Sequence, residues 1–382
     1  PAARTSHSGP YTVQRRTFFP RRACDHRPRM AARVLAITQA PELGGAEYAL
    51  LRIARRLPAR GYECVVTVPG PGATEAAFRA EGFPVPRLAT GPLRAGGWPR
   101  ALAALPRARL LARRVRPQLV YLNGTVAQRL APAFLGTGAR LVPHLHDLLE
   151  TAPRPWRSAR FWAAAPVVIC ASGAVADRAA ELGAPRERLR TVWCPIEPAE
   201  PAPRPAWRED GRPVVGFVGR IEPRKGVLDL LRAAPALFER RPDARIVIVG
   251  DDELGASAVY RDEVRRAAAQ LGERVLLLGA VPEANRLMPW FDALCVPSRV
   301  EPFGTVAAEA LAAGTPVVAT RSGGMAEYVA DGRTGALVEP GDVAALADAL
   351  DRVLADAEAL GRNGREDAAR FSSDRVAALV AD

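Results

Sequence analysis

Lysine is nearly missing from this chain: of 53 basic residues, Lys225 is the one lysine and the rest are arginine. Together with abundant Ala, Gly and Pro, that bias points to a GC-rich coding sequence, so the position of a surviving lysine is informative. Cysteine is sparse and unpatterned, with Cys24, Cys64, Cys170, Cys194 and Cys295 scattered as an odd number and no Cys-x-x-Cys. This spacing indicates neither a disulfide framework nor a zinc site, and fits a reducing compartment. Apolar runs approaching the roughly 20 residues that span a bilayer are lacking, and residues 1–29 show no charged n-region followed by an apolar h-region. A cytoplasmic protein is expected, with peripheral membrane contact as the alternative placement.

Acid is absent from one long stretch. Between Glu81 and Asp147 there is none, while ten arginines occur at 87, 94, 100, 107, 109, 113, 114, 116, 129 and 140. From Met30 to Ile196 the chain has 23 basic and 10 acidic residues, against 23 and 30 from Glu197 to Asp382. A helix over Trp98–Val115, with Pro106 as a candidate break, is expected to carry Leu102, Leu105 and Leu110 on one side and arginines on the other. Two readings stay open: a patch that meets anionic lipid or a phosphate-bearing acceptor, or a core-facing helix with a solvated basic face. The wider Arg87–Arg140 region is the candidate membrane contact. Nucleic acid is not an expected partner.

Residues 1–29 hold seven arginines and one acid without apolar periodicity. They read as a disordered leader, with translation expected to begin at Met30 and a transit peptide as the rival. Thereafter short apolar runs alternate with amphipathic stretches, the grammar of a doubly wound α/β sheet. Strands are expected near 34–37, 64–68, 119–122, 141–145 and 167–170. A Pro-rich linker over 197–213 separates this 30–196 domain from a second series, with strands near 214–218, 245–249, 275–278, 293–296, 316–319 and 335–338. The second domain is expected to run over 214–371, with 372–382 as a tail.

Two segments carry chemistry. In Gly216-Phe-Val-Gly-Arg-Ile-Glu-Pro-Arg-Lys-Gly, a buried strand ends at Gly219, and Arg220 and Lys225 flank a turn before a helix. Cations at a strand's carboxyl end beside a helix start are where such a sheet binds phosphate. In Val296-Pro-Ser-Arg-Val-Glu-Pro-Phe-Gly-Thr-Val-Ala-Ala-Glu, Glu301 lies in a loop and Glu309 on the following helix. Phe303 and the unpaired N–H groups at Gly304, Thr305 and Val306 precede it. Taken alone, Glu301 is a solvated loop acid and Glu309 a helix-dipole partner.

In combination these segments resemble the retaining family 4 glycosyltransferases, which carry Glu-x7-Glu (Glu301 to Glu309) and Gly-Arg-x4-Lys-Gly (Gly219 to Gly226). The similarity runs from about Val34 to Phe371. It implies a GT-B fold, two Rossmann-like domains facing across a cleft, and a nucleotide-diphosphate sugar as donor substrate. Gly44 and Gly45, in Gly-Gly-Ala-Glu47, are similar to the family's glycine loop at the donor diphosphate. His146 of His146-Asp147 corresponds to the histidine beside the donor sugar. Ser172 matches a helix-starting serine and reads as an N-cap. Gly323-Gly-Met-Ala-Glu327 and Asp331-Gly-x-x-Gly335 match acceptor-side and closing turns. Cys194-Pro195-Ile196 replaces the family's Asn-Gly before the linker, which leaves the return of the last helix unexplained.

The resemblance implies sugar transfer with retention. Arg220, Lys225 and the helix start at Gly304 would stabilise the leaving diphosphate, Glu301 and His146 would hold the sugar, and Glu309 the ribose. Backbone near Gly250 and Val281 would meet the base. No Asp-x-Asp follows a strand, so no metal or other cofactor is expected. The rivals are a nucleotide-sugar epimerase of similar fold, a hydrolase using Glu301 and Glu309 as a carboxylate pair, and a non-catalytic module that binds anionic lipid.

Overall fold

The computed structural model describes residues 31–91, 98–148, 161–208, 211–251 and 257–381. The expected leader, Met30 and Arg94 lie outside them.

The first sheet contains six parallel strands: β1 (Ala32–Ile37), β2 (Tyr62–Thr67), β3 (Leu119–Asn123), β4 (Arg140–Leu145), β5 (Val168–Cys170) and β6 (Leu189–Thr191), in the order β2-β1-β3-β4-β5-β6. The second repeats the plan with β7 (Val214–Val218), β8 (Arg245–Val249), β9 (Val275–Gly279), β10 (Ala293–Val296), β11 (Val317–Thr320) and β12 (Gly335–Val338), ordered β12-β11-β10-β7-β8-β9. Strands such as β8 and β10 are buried along nearly their whole length because helices cover both faces. That double cover is why they are continuous apolar runs rather than alternating ones.

Each strand order reverses once, between β1 and β3 in the first sheet and between β7 and β10 in the second. At such a switch the loops leaving neighbouring strands diverge and open a crevice at the carboxyl edge. The loops after β1, β7 and β10, three of the strands at these switches, and the loop after β4 carry motifs singled out in the sequence.

The covering helices include α1 (Gly45–Ala54), α2 (Ala73–Ala80), α3 (Trp98–Val115), α4 (Gly173–Glu181), α5 (Val227–Arg240), α6 (Ala258–Gln270), α7 (Thr305–Ala313), α8 (Val343–Ala355), α9 (Ala357–Ala368) and α10 (Ser373–Ala381). Three expectations change. Pro106 lies within α3 and does not end it. Strand β6, Leu189-Arg-Thr, holds a single apolar residue and so leaves no apolar run in the sequence. Residues 373–381 form a helix rather than a tail. Its Val376 joins Val34, Leu50 and Leu51 in the first domain's core, and Tyr62 donates to the Ala381 carbonyl at 3.0 Å. The chain crosses back beside the linker, where Ile196 N–H bonds the Phe371 carbonyl at 2.8 Å.

α3 also differs from its expected orientation. Ala101, Ala104, Ala108 and Ala112 are buried against the first sheet. Leu102 (55 % exposed) and Leu110 (48 %) point outward. Leu105 is half-buried at the margin of the same core.

Candidate functional site

The turn after β7 is built on glycine. Gly226 has φ 70°, and a Cβ there would meet the Pro297 carbonyl oxygen at 2.0 Å, so only glycine joins the Pro223–Lys225 turn to α5 at this separation from the β10 loop. A Cβ on Gly250 would meet the Gly219 carbonyl at 1.9 Å, which holds the ends of β7 and β8 close. The turn delivers Lys225 to the β10 loop, where its Nζ is 2.5 Å from Glu301 Oε2. Ser298 Oγ donates to the same oxygen at 3.2 Å. The two side chains are only 15 % and 10 % exposed, so this is a largely desolvated, charge-assisted pair. Arg220 stands outside it, half-exposed, with Glu222 at 3.3 Å.

Gly304, at φ 86°, starts α7, and a Cβ there would strike Met325 Cγ at 2.5 Å. Neither α7 nor α1 has a side-chain cap, so first-turn N–H groups stay available at both starts. The two starts face each other: a Cβ on Gly45 would lie 3.6 Å from Thr305 Oγ1. Gly44, Gly45, Gly304, Thr305 and Val306 therefore surround one point where two positive helix ends converge, an arrangement suited to an anion.

Several interdomain bonds hold the halves in this relation. Ser172 caps α4, accepting from Val175 N–H at 3.1 Å, and also donates to the Pro302 carbonyl at 2.6 Å. Glu327 places its carboxylate on the start of α4, accepting from Gly173 N–H (3.0 Å) and Ala174 N–H (2.8 Å), and accepts from Trp193 Nε1 at 3.1 Å. Arg52 of α1 reaches Glu309 Oε1 at 3.0 Å and the Pro195 carbonyl at 2.9 Å. Glu309 is thus already engaged by the first domain through one oxygen. Burial raises its carboxyl above the usual range, against the pull of Arg52.

His146 sits at the end of β4. Its Nε2 is 3.0 Å from Asn123 Oδ1, and Asn123 Nδ2 donates to the Ala46 carbonyl at 2.9 Å. Burial pushes the His146 imidazole down to about 3, so it is neutral at ordinary pH. His144 lies beside it, ring centroids 3.9 Å apart, and Tyr121 holds His144 Nδ1 at 2.5 Å. Asp147 is bonded by Thr125 Oγ1 at 3.3 Å.

Four residues differ from their sequence reading or were missed by it. The Phe303 ring is a core side chain, packed 5.2 Å from Tyr328 and 5.8 Å from Phe371, so only its backbone faces a ligand. Val281 is half-buried against the second core. Glu47 and Asn123 belong to the site yet were given no role. Glu47 is buried, with Oε1 lacking any partner, and burial pushes its carboxyl up to about 7 despite backbone amides at 47, 39 and 40 that lower it. The Gly-Gly-Ala-Glu string was a usable signal for Glu47; an asparagine ending a strand carried none.

Among the described residues no group of three or more His, Cys, Asp or Glu is arranged to hold a metal ion, and no helix is long and apolar enough to cross a membrane.

Both halves of the chain are similar to known proteins. The profile described as Glycosyltransferase Family 4 matches residues 43–200, and that described as Glycosyl transferases group 1 matches residues 212–356. Among curated relatives, D-inositol 3-phosphate glycosyltransferase 2 of Catenulispora acidiphila is 44 % identical over 183 residues, 44 % of this chain and 42 % of that protein. A glycogen synthase of Mycobacterium tuberculosis is 38 % identical over 158 residues, 41 % of this chain and 38 % of that one. The matches thus span less than half the length of these relatives. Anabaena HepE, solved in complex with UDP and glucose, superposes with a TM-score of 0.78 and 26 % identity, covering 92 % of this chain and 98 % of that one. With one profile on each Rossmann-like domain and a likeness over nearly the whole GT-B fold, the chain belongs to the family 4, group 1 glycosyltransferases.

Proposed function

We propose that this protein transfers a sugar from a nucleoside-diphosphate donor to an acceptor with retention at the anomeric carbon. The observation that carries the reading is the convergence of two uncapped helix starts, at Gly45 and Thr305, beside the Lys225 and Glu301 pair. The solved complex of HepE with UDP-glucose supports a nucleotide sugar as the ligand.

In this mechanism the diphosphate lies between the N–H groups of the two helix starts. As the glycosidic bond breaks, negative charge builds on the leaving diphosphate. Fixed dipoles and the Lys225 ammonium then stabilise that charge without reorganising. Arg220, half-exposed at the rim, is free to swing onto the phosphates as a planar fork. Glu301, anchored by Lys225 and Ser298, accepts from sugar hydroxyls, and His146 approaches from the other domain. Glu309 offers the ribose its second oxygen while Arg52 keeps the first. The acceptor attacks from the face the diphosphate leaves, and no metal is required because helix ends and cations supply the countercharge. An epimerase would need no acceptor and would release no glycoside, which an assay for glycoside product resolves.

Peripheral contact with anionic membrane through the first domain belongs to the same reading, and the outward leucines of α3 beside Arg107, Arg113 and Arg114, which form no ion pair among the described residues, support it. The acceptor side would then face lipid.

Lys225→Ala tests the catalytic assignment. It should lower donor turnover by about 100-fold or more, the scale of losing one charge-stabilising group. Because it also leaves Glu301 unpaired, Lys225→Gln serves as a companion that retains a hydrogen-bond donor but not the charge. Near-normal turnover in both variants would sink the assignment.

A further inference from the structure

We propose that Asn123 is a positioning residue: it fixes His146 as the Nε2–H tautomer, so the ring offers the donor sugar an acceptor nitrogen and the sugar must answer with a hydroxyl. The inference rests on the reading of the cleft as a sugar-donor site, but its structural half stands without it.

Asn123 ends β3 at the first-domain switch point and is fully buried. The Ala46 carbonyl, 2.9 Å from Asn123 Nδ2, can only accept. The amide must therefore turn its NH2 toward Ala46, which leaves Oδ1 facing His146 Nε2 at 3.0 Å. Oδ1 is itself only an acceptor, so the hydrogen in that contact belongs to His146. A neutral imidazole with its proton on Nε2 has a bare lone pair on Nδ1. Its own burial keeps the ring neutral, and the His144 ring lies 3.9 Å away, tilted by 40°.

His146 Nδ1 forms no hydrogen bond among the described residues and is not one of the enclosed polar atoms left without a partner, so it keeps some accessible surface. The segment it belongs to borders the second domain: the neighbouring Leu148 Cδ1 would lie 3.3 Å from a Cβ on Gly323. A hydroxyl donates to Nδ1; a carboxylate or a fluorine in the same place meets a lone pair. His144 shows the contrast, since its Nδ1 is taken by Tyr121 and its Nε2 is enclosed without a partner.

The same amide links two parts of the site, because Ala46 lies in the first turn of α1. Losing it frees both the imidazole and the glycine turn, so the test must separate these effects. The full chain has four histidines, His7, His26, His144 and His146. Nitrogen NMR of the histidine-labelled protein, with His146 assigned by His146→Ala, reads the tautomer directly and without any donor. The wild type is expected to show a bare Nδ1 and a protonated Nε2 from pH 6 to 8. Asn123→Ala should mix the tautomers and lower kcat/KM for the sugar donor about tenfold or more. Adding Asn123→Ala to His146→Ala should cost no more than about twofold further, because residues acting through one another are non-additive. Asn123→Asp keeps an acceptor on Nε2 and should bring the His146 titration up into the pH 5 to 8 range. A protonated Nδ1 in the wild type, or full additivity of the two alanine variants, overturns the proposal. If the chain turns over no nucleotide sugar, the functional reading fails while the tautomer result still decides the role of Asn123.

Discussion

Glu47, under the Gly44–Gly45 turn, shows how much of a site depends on single side chains. Its carboxyl is buried, one oxygen has no partner, and Asp147 repels it, so burial is the largest reason its pKa rises from 4.5 to about 7. Between those values the folded chain holds a proton the unfolded chain has lost. The resulting stability is complete below about pH 4.5 and falls as pH rises toward 7. Glu47→Gln keeps the shape without the titration. Chemical denaturation at pH 5, 6, 7 and 8 should show the wild type losing about 2–3 kcal/mol relative to Glu47→Gln. His144 and His146, depressed by burial, act below pH 6.5 in both proteins and cancel in the difference. Parallel profiles would contradict a protonated Glu47. At this scale the sequence was legible where composition or pairing made a residue unusual, as with Lys225 and Glu301. It was silent where role follows from burial: nothing in the string marks Phe303 as a core ring or Asn123 as the anchor of His146.

Helix α3 has the expected bounds and an unexpected face. Periodicity locates a helix, but it assigns the larger apolar side chains to the core, and here the core takes the smaller ones. Alanine at 101, 104, 108 and 112 lets the helix approach Leu35, Ile37, Val120 and Leu122 closely. Leu102 and Leu110 are left outside with Arg107, Arg113 and Arg114, which form no ion pair among the described residues. Leu135, 62 % exposed, is adjacent, its carbonyl taken by Arg109. Arg87 does not belong to this free set, because Glu75 holds it at 2.9 Å. Each arginine near an anionic surface adds about 1 kcal/mol of attraction. The protein should therefore sediment with anionic vesicles at low salt and not with neutral ones. Arg107→Glu with Arg114→Glu should reduce that binding at least about tenfold, and Leu102→Ser with Leu110→Ser should weaken it without changing net charge. No sedimentation of the wild type at low salt would leave α3 a solvated surface helix.

Across the whole molecule, the two α/β series, the linker and the motif-bearing loops were readable because buried parallel strands and glycine turns leave strong local patterns. The coupling between halves was not, since it is made by side chains remote in sequence. Arg52 to Glu309, Ser172 to Pro302, Glu327 to the start of α4, and α10 packed on the first core each join segments more than 100 residues apart. These contacts bring together the two helix starts between which a nucleotide sugar is proposed to bind. The most direct test is a thermal-unfolding screen of the purified chain against UDP, GDP, ADP and TDP sugars. A ligand at 100 times its Kd stabilises the native state by about 2.7 kcal/mol. A saturable rise in Tm is expected with at least one of these donors, lost or strongly reduced in Lys225→Ala. No shift with any donor, or an undiminished shift in Lys225→Ala, would contradict the proposed binding.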